Sequence, residues 1–164
     1  MSDETSTQIF ERLNALLQSN SVNFRVLIHE PVFTSADSAR VRGVSLHSGA
    51  KALILKAGDK FLMVVLPADL SLDSKGIKRE LNSKNIRFAN QDEVESLTTL
   101  KPGSIPPFGS LFNLPTYCDD RLKENETIYF NAGSHTCSIG MGTTDYLVVE
   151  KPVLGLFGKL AEQS

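Results

Sequence analysis

The sequence predicts an α+β domain on a largely antiparallel or mixed sheet, from three observations. Short β-rich runs outnumber the helical patterns. They gather as hairpins at the centre of the chain and near its end. They do not alternate strictly with helices, as a parallel doubly wound sheet would require. The 164 residues suit one domain, 1–164, and can bury roughly 70% of the unfolded surface in one core.

The elements follow in order. Ile9, Leu13, Leu16 and Leu17 share one helical face, with capping-box spacing at Thr5 and Gln8 and a stop at Ser19-Asn20-Ser21. Phe24 to His29 is a strand that Pro31 ends. Ser35 to Val41 is a helix capped by Thr34 and closed by Gly43. Ala50 to Ala57 and Phe61 to Leu66 form a hairpin around Gly58-Asp59-Lys60. Asp69 to Asn82 carries a helix with Asp73 as its cap and Ile77 and Leu81 as an i, i+4 pair.

Ile86 to Ala89 reads as a strand and Gln91 to Leu97 as a short helix. The prolines and glycines of Lys101 to Gly109 exclude regular structure there. Phe112-Asn113 and Thr116 to Cys118 are expected as extended pieces. Thr127 to Asn131 and Thr136 to Met141 are strands with Ala132-Gly133-Ser134 as their turn. Thr143 to Val149 is a helix capped by Thr143 or Thr144, and the tail from Gly155 is expected on the surface.

Apolar residues make up 41% of the chain and charged residues 22%, which suits a folded chain. The net charge of −2 excludes coating nucleic acid by bulk charge, but leaves room for a local basic rim. Two cysteines without a CxxC pair, no signal-peptide pattern and no membrane-length apolar run predict a reduced, cytoplasmic protein.

There is no GxGxxG, no P-loop, no HExxH and no GxSxG, so no cofactor and no metal are expected. A zinc site on His135 and Cys137 would need ligands from elsewhere. Cys118 is a candidate nucleophile only if the fold brings it a histidine. An enzyme with this vocabulary works by positioning and polar stabilisation.

Three features carry information. Lys51 opens a strongly apolar strand. It is either a snorkelling side chain or a cation at a pocket mouth that holds a phosphate or an oxyanion. Gly103-Ser104-Ile105-Pro106-Pro107-Phe108-Gly109 is either a stiff connector or a rigid lip whose amides grip a polar group. Asn131-Ala132-Gly133-Ser134-His135 is a hairpin turn or a roomy site with Asn131 and His135 as hydrogen-bonding groups.

Ala50-Lys51-Ala52-Leu53-Ile54-Leu55, the Gly103-x-x-x-Pro107 loop, Leu114-Pro115-Thr116 with Asp119, and Thr127 to Gly133 occur in this order. Together with His29 to Ser35, they resemble the YbaK/prolyl-tRNA synthetase editing domain family over about residues 24–149. The resemblance implies a mixed, mostly antiparallel, barrel-like sheet flanked by helices. It also implies a free-standing, trans-editing aminoacyl-tRNA deacylase, acting on the ester between a mischarged small amino acid and the 3′-terminal adenosine.

On that reading Lys51, Gly103 and Pro107 are the catalytic elements. Ser104, Ile105, Pro106, Asn131, Gly133 and His135 bind substrate. A ribose hydroxyl of the substrate relays the proton. Some alanine-selective relatives carry a histidine where this chain has Asn131, so alanine, serine, cysteine and threonine stay open. The implied partners are the tRNA acceptor end and an aminoacyl-tRNA synthetase, with neither membrane nor DNA. The competing functions are a non-catalytic tRNA-end or synthetase-binding module and a hydrolase using Cys118.

Overall fold

Alternating apolar residues on a strand can cover two cores, and the central hairpin does so. The computed structural model describes residues 3–160, with side chains from Ser6 onward, so the Thr5 cap and the last four residues lie outside the description. β2 (Ala50–Ala57) and β3 (Lys60–Pro67) pair antiparallel from Ala50↔Pro67 to Ala57↔Lys60. On β3, Met63 and Val65 join the larger core, while Leu62, Val64 and Leu66 face the smaller one. A strand buried on both faces reads as one apolar run, which is what Phe61 to Leu66 shows.

The helices close these two cores. α1 (Asp3–Ser19) lays Ile9, Leu13 and Leu17 on the larger core, beside Ile128 and Phe130 of β7 (Thr127–Ser134) and Ile139 and Met141 of β8 (Cys137–Gly142). α2 (Ser35–Arg42) begins at Thr34, whose hydroxyl accepts from the Asp37 amide, and ends at Gly43 in the left-handed region, φ 70°. α3 (Ser74–Leu81) starts at Asp73 and buries Ile77 in the smaller core. α4 (Gln91–Thr98) carries a full capping box between Asn90 and Glu93.

Three sheets result. β1 (Phe24–Ile28), β8 and β7 form one antiparallel sheet. The largest has the order β5-β2-β3-β6-β9, with β5 (Ile86–Phe88), β6 (Thr116–Asp119) and β9 (Val153–Gly155). Among the described strands only the β3/β6 and β6/β9 pairs are parallel. A bridge between Gly49 and Tyr129 joins these two sheets around the larger core. The mixed, mostly antiparallel sheet with flanking helices agrees with the expectation. Among the described residues no strand pairing closes it into a complete barrel.

The structure corrects five local expectations. A three-residue strand, β4 (Leu70–Leu72), precedes α3 and pairs with β10 (Gly158–Leu160). The tail through Leu160 is therefore not a surface appendage: Phe157 is 1% exposed and packs edge-on against Tyr117. Phe112 ends a 3-10 turn (Gly109–Phe112), which Asn113 closes at φ 58°, so this pair is not extended. The β7–β8 turn is His135-Thr136, because Ser134 pairs with Cys137 and Ala132 to Ser134 belong to an irregular stretch of β7. α5 (Thr143–Glu150) has no side-chain cap; the Thr143 hydroxyl donates instead to the Asn125 carbonyl, 2.5 Å.

Asp119 explains why the tail docks. Its fully buried carboxylate accepts from the Phe157 amide at 2.9 Å, the Gly158 amide at 2.7 Å and the Arg121 guanidinium at 2.9 Å. Burial pushes its pKa up, but the Arg121 and backbone hydrogen bonds outweigh burial and hold it below the ordinary aspartate value. Replacing Asp119 by Ala strands these donors and should cost roughly 3–5 kcal/mol in urea unfolding. A loss below about 1 kcal/mol would show that the docked tail contributes little.

Candidate active site

The site lies where the largest sheet runs short. β5 pairs with β2 only over Leu55–Ala57, and the ladder ends where the Ala89 amide donates to the Ile54 carbonyl at 3.0 Å. Backbone groups two residues apart point to the same side of a strand, so Ala52 presents its N–H and C=O along the edge that β5 leaves open. A cavity of ≈ 290 Å³ sits against that edge. This is at the small end of the roughly 300–1,000 Å³ typical of ligand pockets.

Four walls enclose it. Ala50 to Ile54 form the floor, and Phe88, Ala89 and Val94 one side. Ser35, Ser38 and Arg42 project from one face of α2 at helical spacing. Pro102, Gly103 and Ile105, with Phe130 and Asn131, close the rest. Phe33, 74% exposed, and Phe88, 56% exposed, stand at the rim.

Lys51, Gly103, Ile105 and Asn131 thus line one cavity, whereas Ser104, Pro106, Pro107, Gly133 and His135 do not. Ser104 is buried, and its carbonyl accepts the Gly133 amide at 2.9 Å. Gly133, at φ 96°, lies so close to α1 that a Cβ would come 3.2 Å from the Ser6 carbonyl. The Pro107 carbonyl accepts the buried Tyr146 hydroxyl at 2.6 Å. His135 packs at a tilt against Phe33 with ring centroids 4.8 Å apart, and its Nε2 lies 3.4 Å from where a Gly103 Cβ would sit.

Few free amides remain in the loop. Pro106 and Pro107 have no N–H. The Ser104 amide donates to the Lys101 carbonyl at 3.2 Å. The Gly103 and Ile105 amides have no partner among the described residues. The Gly103 carbonyl is held by the Asn131 side-chain amide at 2.5 Å.

The electrostatics are one-sided. Among the described residues no carboxylate lines the cavity. Burial lowers the pKa of Lys51, against the opposing pull of the Asp69 carboxylate. No ion pair of Lys51 occurs among the described residues. The second cation, Arg42, was missed by sequence reading. Its Nε donates to Ser138 at 2.9 Å and its Nη2 to Asn131 at 3.0 Å, and burial pulls its pKa down to about 10. The only available signal was the Ser35, Ser38, Arg42 spacing on one face of a short, very polar helix.

Neither cysteine fits a nucleophile. The Cys118 thiol is fully buried, outside the cavity, with its pKa pushed up to about 12 chiefly by burial. A nucleophilic thiol needs the opposite shift and an accessible position. Among the described residues no cluster of three or more His, Cys, Asp or Glu side chains could hold a metal. No described helix is long and apolar enough to cross a membrane.

Residues 29–148 match the family described as the aminoacyl-tRNA editing domain. The chain belongs to that family. It is 33% identical over 156 residues to the multifunctional Ser/Thr-tRNA deacylase ProXp-y of Escherichia coli K12, covering 92% of this chain and 93% of that protein. It is 26% identical over 117 residues to the prolyl-tRNA editing protein ProX of Acetoanaerobium sticklandii, covering 70% of this chain and 67% of that one. A crystal structure described as a candidate trans-editing enzyme for prolyl tRNA synthetase shares the fold, with a TM-score of 0.82 at 18% identity over 92% of this chain and 97% of that one. The family and the aminoacyl-tRNA ester hydrolase expected from the sequence are borne out at this level.

One titratable clamp supports the floor. His47 Nδ1 meets Asp69 at 2.8 Å and its Nε2 meets Glu124 at 3.1 Å, tying the turn before β2 to two other segments. The Asp69 hydrogen bond leads the causes that raise the His47 pKa. Its stabilisation is full below the unfolded value of about 6.5 and is lost as pH rises through the folded value. The Tm gap between wild type and His47→Gln should therefore be widest below that value and narrow at alkaline pH. A gap independent of pH would mean that charge plays no part.

Proposed function

We propose that this cavity hydrolyses the ester joining a small, hydroxylated amino acid to the 3′-terminal adenosine of a mischarged tRNA. One observation carries the reading: Lys51 and Arg42, neither with an ion-pair partner among the described residues, share a small cavity that no described carboxylate lines. Such a site suits a phosphate-bearing ester. The rim rings of Phe33 and Phe88 suit stacking with unpaired bases.

The chemistry needs little from the protein, because the ester is already activated. The Lys51 ammonium fixes the terminal nucleotide. The Gly103 and Ile105 amides take the ester carbonyl oxygen as negative charge develops there. The Ala52 carbonyl at the open strand edge accepts from the substrate α-ammonium. Water attacks the ester carbon, and the neighbouring ribose hydroxyl relays the proton to the departing oxygen. Free amino acid and tRNA with intact ribose hydroxyls are released. On this account Ser104, Pro106, Pro107, Gly133 and His135 position the loop and the rim without contacting the ester.

Side-chain choice belongs to the α2 wall. Ser38 is 6% exposed and lines the cavity, and its hydroxyl has no partner among the described residues. A site with an unpaired hydroxyl favours a substrate hydroxyl over a methyl group. The similarity to a relative named for Ser/Thr-tRNA deacylation supports the same choice. Such a substrate implies a cytoplasmic setting and permits a synthetase partner that delivers the tRNA.

The test is release of amino acid from tRNA charged with serine, threonine, alanine or cysteine. Lys51→Ala should lower the rate about 10²–10³-fold with the fold intact, and thiol alkylation should leave it unchanged. No release above the buffer rate, with salt-dependent tRNA binding retained, would mean a binding module instead. Ser38→Ala should reduce the serine-over-alanine ratio of kcat/KM about ten-fold; an unchanged ratio removes Ser38 from the selection.

A further inference from the structure

The Arg42 guanidinium is fixed on one edge and free on the other. Its Nε and one Nη2 hydrogen are bound by Ser138 and Asn131. A guanidinium carries five N–H donors, so three remain, two of them on Nη1. Nη1 makes no hydrogen bond among the described residues. It lies beside Gly49, 3.8 Å from where a Cβ would be. Gly49, Ala68 and Arg42 all line the cavity, and the missing Gly49 side chain leaves the approach to Nη1 open on that side.

A second layer holds this orientation. His29 Nδ1 lies 2.8 Å from the Glu30 carbonyl, which only accepts, so Nδ1 carries the proton. With the proton on Nδ1, Nε2 is the acceptor for the Ser138 hydroxyl at 2.8 Å, a closer contact than the 3.4 Å from that hydroxyl to Asn131 Oδ1. That leaves the Ser138 oxygen to accept from Arg42 Nε. Asn131 is fixed in turn, accepting from Arg42 and donating to the Gly103 carbonyl. The cation and the loop proposed to bear the oxyanion are therefore joined through one side chain.

We propose that the free edge of Arg42 is the phosphate anchor of the site, taking an oxygen of the phosphodiester on the 5′ side of the terminal adenosine. This rests on the deacylase reading and extends it. A planar fork suits a phosphate oxygen pair, and no cavity-lining carboxylate competes for it. Arg42 is then the binding group for the phosphate, and Ser138 and His29 are positioning residues. The Lys51 ammonium is left for the ribose and ester oxygens.

The test compares adenosine 5′-monophosphate with adenosine as inhibitors of seryl-tRNA deacylation. Wild type should prefer the monophosphate about ten-fold. The preference should fall to within roughly two-fold in Arg42→Gln and persist in whatever activity Lys51→Ala retains. The tRNA KM of Arg42→Gln should also lose about 0.7 from its log–log salt slope. If Arg42→Gln does not fold, Ser138→Ala should weaken the preference while the Tm stays near wild type. Equal inhibition of an active wild type by both compounds overturns the anchor, as does a preference that vanishes with Lys51 and survives loss of Arg42. Absence of wild-type deacylation overturns the underlying reading instead.

Discussion

Two cations held in one half-enclosed cavity, with no carboxylate lining it, set the terms for the rest of the molecule. Partial burial of an unpaired charge is costly, and both Lys51 and Arg42 show that cost as lowered pKa values. The fold tolerates it because the charges sit at a break in the sheet. β5 stops pairing at Leu55, and the open half of β2 is covered by α2 and the Gly103 loop. Closing that edge with a longer β5 would stabilise the sheet and remove the cavity.

The surrounding structure keeps the cavity from collapsing onto its own charges. Asn131 bridges Arg42 and the Gly103 carbonyl, and Ser138 and His29 stand behind the guanidinium. Tyr146 and Gly133 hold the loop from the other side, through the Pro107 and Ser104 carbonyls. Each contact joins elements far apart in sequence. The geometry is thus paid for by tertiary packing, and local propensity contributes little to it.

Local features were legible in the sequence because their causes are local. The Thr34 cap and Gly43 stop of α2, the Gly58-Asp59 turn and the apolar run of β3 each follow from neighbouring residues. Lys51 stood out because a charge in an apolar strand is unusual, and the ordered motifs around it carried the family resemblance. Arg42 did not, since its importance depends on partners 89 and 96 residues away. β4 and β10, of three residues each, have no pattern of their own; they exist because Asp119 docks Phe157 and Gly158. The loop prolines looked functional, yet their lack of N–H leaves the free amides to Gly103 and Ile105.

The most direct measurement is a crystal structure with a non-hydrolysable seryl-amide analogue of the terminal adenosine 5′-monophosphate. The account predicts the phosphate on Arg42 Nη1, the carbonyl oxygen on the Gly103 and Ile105 amides, and the seryl hydroxyl on Ser38. An analogue bound elsewhere, or seated with its phosphate away from Arg42, on Lys51 included, would contradict it.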